Sequence, residues 1–217
     1  MTRERGVGLI LCAVSSYFIE QAQRALAQRD LASALAACLK AVADPAAGAP
    51  AWFLKGTVEL GLGRPADAAA SAARAIALSP ADARFHVLAG NAAEDAGQAK
   101  VAAAAYEEAT RLAPEWAMAW HRLGTVRYGL RETEPAAHAF ERAVACDSAY
   151  VRSWNNLGLA RLEAGHLDAA EVALRRALDL QPDHAHAFRN LARVLAARGD
   201  AAGAERLNVI ASRLPTS

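Results

Sequence analysis

Histidine and cysteine are the side chains of this sequence that could hold a metal or act as nucleophiles. His184 and His186 flank a single alanine, with Asp183 as the nearest acid and no cysteine beside them. A structural zinc site takes four ligands and a catalytic one takes three plus water, so we expect two solvated histidines and no metal site. The three cysteines lie far apart and form no CxxC pair. This spacing argues against a zinc ribbon, a thioredoxin-type site and a disulfide framework.

Motifs for cofactors and catalysis are missing or lie in the wrong context. Residues 61–66, GLGRPA, have the GxGxxA spacing of a dinucleotide fingerprint, which requires a preceding strand and a following helix. We interpret them as a turn between two helices. The sequence contains no Ser-His-Asp, paired-carboxylate, Walker or HExxH pattern. It therefore predicts a non-catalytic protein without a cofactor.

The charge balance limits the kinds of partner that the chain could bind. Lys and Arg number 24 and Asp and Glu number 23, which gives a net charge of +1. This value removes the electrostatic reason to expect nucleic-acid binding. The sequence has no run of about 18 apolar residues, so an integral membrane span is disfavoured. Another protein is the partner that we expect.

Alanine has an unusual share of the chain, and its placement reveals a repeat. It supplies 58 of the 217 residues, while aromatic residues make up only 6%. Trp120 and Trp154 lie 34 residues apart, and so do Gly124 and Gly158. Six consecutive blocks keep this register: 15–48, 49–82, 83–116, 117–150, 151–184 and 185–217. Positions 20 and 27 are alanine in every block: Ala34, Ala68, Ala102, Ala136, Ala170 and Ala204, then Ala41, Ala75, Ala109, Ala143, Ala177 and Ala211.

The 34-residue period and these small residues resemble the tetratricopeptide repeat (TPR) family, of the bacterial type, over residues 15–217. The resemblance implies an all-α solenoid, a right-handed superhelix of antiparallel helix pairs. Small residues at positions 8, 20 and 27 should let neighbouring helices approach closely, while the aromatic residue at position 4 and the bulky residue at position 24 fill the remaining space. Glycine near position 15 should close the first helix. Block four lacks that glycine and has Pro135 a few residues on, where we expect its second helix to start.

Two blocks in the first half depart from the family pattern. Phe85, one place before the usual aromatic position, suggests that block three anchors its aromatic one residue early. His86 then takes the usual position, as a residue of the core or of a helix contact. Lys55 is the groove-side lysine of block two, but its position is core-like, so the lysine–asparagine clamp of chaperone-binding TPR proteins is not reproduced.

The resemblance also implies that the first helix of each repeat lines a concave groove. Arginine, asparagine and histidine accumulate there toward the C-terminal half. Arginine pairs with carboxylates and asparagine with peptide backbones, so we expect an acidic, extended or helical partner segment. Asn156 and Asn190 look like two rungs of the asparagine ladder in O-linked N-acetylglucosamine transferases. The alternative is that these residues only solvate an open face. The candidate groove residues are Arg84, Asn91, His121, Arg122, Thr125, Tyr128, Arg152, Asn155, Asn156, Arg189, Asn190 and Arg193.

These features predict a protein-interaction scaffold that binds a partner segment in its groove. Two alternatives stay open. One is a substrate-recruiting arm of a glycosyltransferase- or sulfotransferase-type system. The other is self-assembly into a homo-oligomer through the ends of the solenoid, where Leu207, Ile210 and Leu214 lie in the last helix.

Residues 1–14 form an apolar N-terminal segment that admits three interpretations. Arg3 and Arg5 precede the apolar stretch 7–14, which is the outline of a short signal segment, but an Ala-x-Ala cleavage site is missing. The segment is an extension of the first helix, a secretory signal or a misplaced start site. We expect a cytoplasmic protein, or a periplasmic or secreted one if the segment is a signal.

Overall fold

A computed structural model describes residues 2–215, with side chains from Ser15 onward. Twelve α-helices and no strand are found in this range, so the all-α fold class is confirmed. Residues 2–14 of the apolar N-terminal segment fall within α1, and their side chains lie outside the described residues. The helices are α1 Thr2–Ala27, α2 Leu31–Val42, α3 Ala49–Gly61, α4 Pro65–Leu78, α5 Ala83–Asp95, α6 Ala99–Leu112, α7 Ala117–Gly129, α8 Thr133–Cys146, α9 Val151–Glu163, α10 Leu167–Leu180, α11 Ala185–Ala197 and α12 Ala201–Arg213.

The helices form two compact units, and each has the consecutive packing of a solenoid. Unit 1, Met1–Pro114, contains α1–α6, and unit 2, Glu115–Ser217, contains α7–α12. Within each unit every helix packs against the next one along the chain. The first helices of successive pairs also meet: α3 contacts α1 and α5 in unit 1, and α9 contacts α7 and α11 in unit 2. The described helices include none that is long and apolar enough to span a membrane.

Small residues at fixed positions allow this close packing. All twelve alanines at positions 20 and 27 are buried, and none is more than 7% exposed. Position 8 is a glycine in four repeats, and the bulky residue at position 24 lies directly over three of these glycines. The contacting pairs are Gly90 with Tyr106, Gly124 with Phe140, and Gly158 with Leu174. The bulky residue at position 24 thus fills the space that the glycine at position 8 leaves, a pairing more specific than the sequence predicted.

In blocks three and five the residue at the aromatic position is hydrogen-bonded to the loop that precedes its helix. Trp154 donates its indole N–H to the carbonyl oxygen of Ser148 at 3.0 Å. His86, at the equivalent position, holds Nε2 at 2.9 Å from the carbonyl oxygen of Pro80. Because a carbonyl only accepts, that nitrogen carries the proton. Phe85 is 2% exposed, which confirms the early aromatic anchor.

A left-handed residue closes the first helix of every pair. Glycine supplies it in four blocks, whereas Arg29 adopts it in block one with φ at 59° and Arg131 in block four with φ at 65°. A side chain in this region costs about 1–2 kcal/mol, since its Cβ crowds the following carbonyl oxygen. The expectation that Pro135 starts the second helix is wrong: α8 begins at Thr133. Pro135 instead lies in the first turn of α8. Backbone N–H groups in that turn have no intrahelical acceptor, so a proline there costs no hydrogen bond. The glycines with positive φ are Gly63, Gly97, Gly165 and Gly199.

We predict that Arg131→Gly raises the free energy of unfolding by about 0.5–1 kcal/mol, because relief of backbone strain exceeds the added entropy of the unfolded chain. Urea denaturation followed by circular dichroism measures the change. Arg176→Gly is the control, since Arg176 is an exposed residue inside α10. There glycine should cost about 1 kcal/mol. A loss of stability in Arg131→Gly would contradict the strain at this turn.

Candidate functional site

An open cleft of about 640 Å³ in unit 2 collects the polar residues of three first helices. Because α9 packs against both α7 and α11, residues about 35 positions apart meet on one surface. The cleft is lined by His121 of α7, by Arg152, Asn155, Asn156 and Leu159 of α9, by Gln181 and His184 of the loop after α10, and by His186 and Asn190 of α11. His121, Arg152, Asn155, Asn156 and Asn190 belong to the predicted groove set.

A chain of amide hydrogen bonds runs across the cleft. Nδ2 of Asn190 donates to Oδ1 of Asn155 at 3.0 Å, and Nδ2 of Asn155 donates to Oδ1 of Asn156 at 3.1 Å. Asn155 is only 8% exposed, so it is the buried link between the two expected rungs. Among the described residues, Nδ2 of Asn156 and Oδ1 of Asn190 have no further hydrogen-bond partner. An amide donor and an amide acceptor can pair with a peptide backbone.

His121 forms the aromatic wall of the cleft. Its Nδ1 lies 2.9 Å from the hydroxyl oxygen of the fully buried Ser153, and its ring centroid lies 4.8 Å from that of Tyr150. Burial, followed by the charges of Arg122 and Arg152, lowers the pKa of His121 to about 4. The imidazole is therefore neutral near neutral pH.

His184 is buried in the wall of the cleft, which corrects the expectation of two solvated histidines. Its residue exposure is 9%, and both ring nitrogens are buried without a hydrogen-bond partner. The loop between α10 and α11 places it there, whereas His186 is exposed. Burial, then His186 and Arg152, lower the pKa of His184, against the opposing charge of Asp183. The described residues contain no group of three or more potential metal ligands.

Arg152 gives the cleft an available positive charge. It is exposed, and within the described part of the chain its guanidinium has no ion pair. Other arginines of unit 2 are paired: Arg161 with Glu134 and Glu141, Arg175 with Glu171, and Arg198 with Asp168 and Glu171. The residues that line the cleft include no carboxylate. An anionic ligand would therefore meet Arg152 without competition from a neighbouring acid.

Other predicted groove residues of unit 2 are engaged by the protein itself or lie outside the cleft lining. The Tyr128 hydroxyl donates to Oε1 of Glu163 at 2.5 Å, and Arg193 lies 3.6 Å from the same oxygen. Burial and then Glu163 raise the pKa of Tyr128 to about 12. The Thr125 hydroxyl donates to the His121 carbonyl of its own helix at 2.9 Å. Two further residues are not part of the cleft lining: the exposed Arg122 and the half-buried Arg189.

The two predicted groove residues of unit 1 also make internal contacts. Arg84 forms an ion pair with the Asp82 carboxylate, in which Nη2 donates a hydrogen bond to Oδ2 at 2.6 Å. Its hydrogen bonds hold the pKa of Asp82 below the ordinary value. Asn91 accepts a hydrogen bond from the buried Tyr106 hydroxyl at 2.6 Å. Both side chains therefore stabilise unit 1 in the described structure.

Sequence reasoning missed Leu159, Gln181 and His184 as lining residues of the cleft. Gln181 and His184 lie in a loop, whereas the family pattern directs attention to the first helix of each repeat. The composition of this loop is the feature of the sequence that could have indicated these lining residues. Glutamine and histidine beside a repeat boundary are polar groups that a neighbouring groove can use.

Comparisons with known proteins agree with this architecture. A MamA structure from Desulfovibrio magneticus RS-1 is 22% identical, covers 76% of this chain and 94% of that chain, and has a TM-score of 0.72. YrrB, described as a TPR protein with an unusual peptide-binding site, is 23% identical, with coverage of 80% and 90% and a TM-score of 0.72. PilF of Pseudomonas aeruginosa is 16% identical, with coverage of 94% and 92% and a TM-score of 0.78. These identities show a shared fold.

No curated protein matches the chain. The family model described as tetratricopeptide repeat matches residues 19–83, 87–151, 121–171 and 155–208. Those matches span well over half of the sequence, on the register that the alanines and glycines set. The protein therefore belongs to the tetratricopeptide repeat family.

Proposed function

We propose that the protein is a non-catalytic interaction scaffold and that the cleft of unit 2 binds an extended, acidic segment of a partner protein. The observation that carries this proposal is the combination of an amide chain with an unpaired arginine in one cleft. Asn156 and Asn190 offer a donor and an acceptor to a peptide backbone. Arg152 offers a guanidinium to an acidic side chain.

The chemistry of the lining favours a peptide over a small metabolite. The cleft is open along three helices, and its polar groups are spread over α7, α9 and α11. An extended chain presents backbone groups at regular intervals and can use several such contacts at once. Leu159 adds an apolar contact in the middle of α9. A partner that lies along the cleft would thus meet both polar and apolar groups.

Selection from a random-peptide library displayed against the full chain tests the proposal. We expect the enriched peptides to carry Asp or Glu. Their affinity, measured by fluorescence anisotropy, should fall about tenfold or more in Arg152→Gln, because a charge-assisted hydrogen bond is lost. Asn190→Ala should weaken the same peptides by removing the backbone contact.

Arg175→Gln is the matched control, because Arg175 is an exposed arginine of the same unit that pairs with Glu171 outside the cleft. We expect it to bind the selected peptides like the wild type. Enriched peptides without an acidic bias, or peptides that bind Arg152→Gln and the wild type equally, would refute the assignment of this cleft.

A further inference from the structure

We infer that Arg152, His184 and His186 form an oxyanion subsite that takes a carboxylate or phosphate group together with a proton. The inference rests on the proposed function, because the oxyanion is carried by the segment that the cleft binds. It adds to that function a single place for the charged group. It also adds a link between binding and pH.

The strongest evidence is the buried and unpartnered imidazole of His184. Buried side-chain nitrogens in folded proteins nearly always have a hydrogen-bond partner. Both ring nitrogens of His184 lack one, and the side chain lines the cleft. This arrangement points to a ligand group that completes the hydrogen bonding.

The surroundings of His184 identify that group as an anion. The ring centroid of His186 lies 6.1 Å away, and Arg152 is close enough to lower the pKa of His184 through its charge. Gln181 of the same loop lines the cleft and adds amide donors. Arginine binds carboxylate and phosphate oxygens in the same forked geometry. The subsite therefore offers several donors, and Asp183, which acts on His184 through its charge, does not line the cleft.

Proton uptake follows from the charges that face His184. These are Arg152 on α9, His186 on α11 and Asp183 in the loop, while His121 of α7 lines the same cleft. Burial, followed by His186 and Arg152, lowers the pKa of His184 in the empty cleft. A bound oxyanion opposes that effect and raises the pKa. Binding and protonation are therefore linked.

The direction of the pH dependence follows from the pKa of His184 in the empty cleft and its higher pKa in the complex. Above the pKa of the complex, His184 is neutral whether or not the ligand is bound, so affinity does not change with pH. Between the two pKa values only the complex is protonated, so affinity rises as pH falls. Below the pKa of the empty cleft the affinity levels off.

Titration of the full chain with sodium sulfate and sodium acetate tests the subsite, with histidine ring resonances observed by ¹⁵N NMR. Sulfate represents a phosphate group with a constant double charge, and acetate represents a carboxylate. We expect the His184 and His186 signals to shift saturably. Affinity should be at least about fivefold higher near pH 5.5 than near pH 7.5. Tighter binding of sulfate assigns the subsite to phosphate groups, and tighter binding of acetate assigns it to carboxylates.

Variants separate the subsite from general charge effects. Arg152→Gln should weaken binding of the preferred anion about tenfold, and His184→Gln should reduce the pH dependence of binding. Arg175→Gln and His138→Gln are the controls, since both residues lie outside the cleft. The inference is overturned if neither anion shifts His184, or if the affinity is the same in Arg152→Gln.

The two proposals can fail independently. Suppose that an anion binds saturably at His184, but no peptide is found whose binding depends on residues of the cleft. This result would reject the proposed function and would still support the subsite. Peptides that need Arg152 and Asn190, but whose binding shows no pH dependence and no competition by either anion, would reject the subsite alone.

Discussion

A Lys55→Met variant loses about 3–5 kcal/mol of the free energy of unfolding, since it leaves a buried carboxylate without its counter-ion. Glu59 is 2% exposed, and its Oε1 accepts from Nζ of Lys55 at 2.5 Å. Ser71 completes the network: its hydroxyl accepts from Lys55 at 3.0 Å and donates to Oε2 of Glu59 at 2.6 Å. After the substitution the Ser71 hydroxyl would still donate a hydrogen bond to Glu59, but no counter-ion would balance the carboxylate charge.

The matched control removes the whole network. A Lys55→Met/Glu59→Leu/Ser71→Ala variant has no buried charge left, so we expect it to recover most of the lost stability. Urea denaturation monitored by circular dichroism compares the two variants with the wild type. Equal losses in the single and triple variants would contradict a role for the uncompensated charge and would instead indicate that Lys55 acts mainly through packing.

Gly124→Ala is the second substitution with a large expected effect, a loss of about 1–3 kcal/mol. A Cβ at this position would lie 2.7 Å from Cδ1 and from Cε1 of Phe140. Phe140 is 1% exposed and belongs to the core of unit 2, so its ring cannot move aside into solvent. The methyl group must therefore push α7 away from α8 or force the ring off its rotamer.

Gly129→Ala, in the same helix, is the control for this substitution. Apart from its chain neighbours and its own helix backbone, no heavy atom lies within 4 Å of the Cβ position at Gly129, and its backbone φ is not positive. Alanine there should be neutral or should stabilise by up to about 1 kcal/mol, because alanine favours the helix. Thermal unfolding of both variants gives the comparison. A Gly124→Ala variant as stable as Gly129→Ala would show that α7 and α8 do not need the close approach.

The packing of the helices was predictable from the sequence because it repeats. Every repeat solves the same steric problem, so small residues recur at positions 20 and 27 and each instance supports the others. Ala136 and Ala170, which are fully buried, show this directly. The fold class, the turn glycines and the contact of Phe140 with Gly124 follow from the same register.

The candidate site was only partly predictable, because its pairings depend on neighbours that the register does not specify. Asn155 and Asn190 form a hydrogen bond across α9 and α11, whereas Tyr128 and Arg193 are held by Glu163. All four occupy groove positions in the sequence. The register gives the helix face of a residue, but the reach and rotamer of each side chain decide whether it faces a ligand or another residue.

His184 illustrates the limit most clearly. A histidine at a repeat boundary has the local composition of a solvated loop, and no residue pattern around it predicts burial. Its burial results from the course of the loop after α10, which no periodic pattern describes. The same loop brings Gln181 into the cleft. Residues outside the repeated helices thus complete the site.

Photo-crosslinking of a selected acidic peptide is the most direct test of binding in the unit 2 cleft. The peptide carries a benzophenone group, and mass spectrometry maps the residues to which it attaches. We predict attachment to cleft residues such as Asn156, Leu159 and Asn190, with loss of crosslinking in Arg152→Gln. Attachment confined to the separate recess lined by Trp154 and Val172, unchanged in Arg152→Gln, would contradict it.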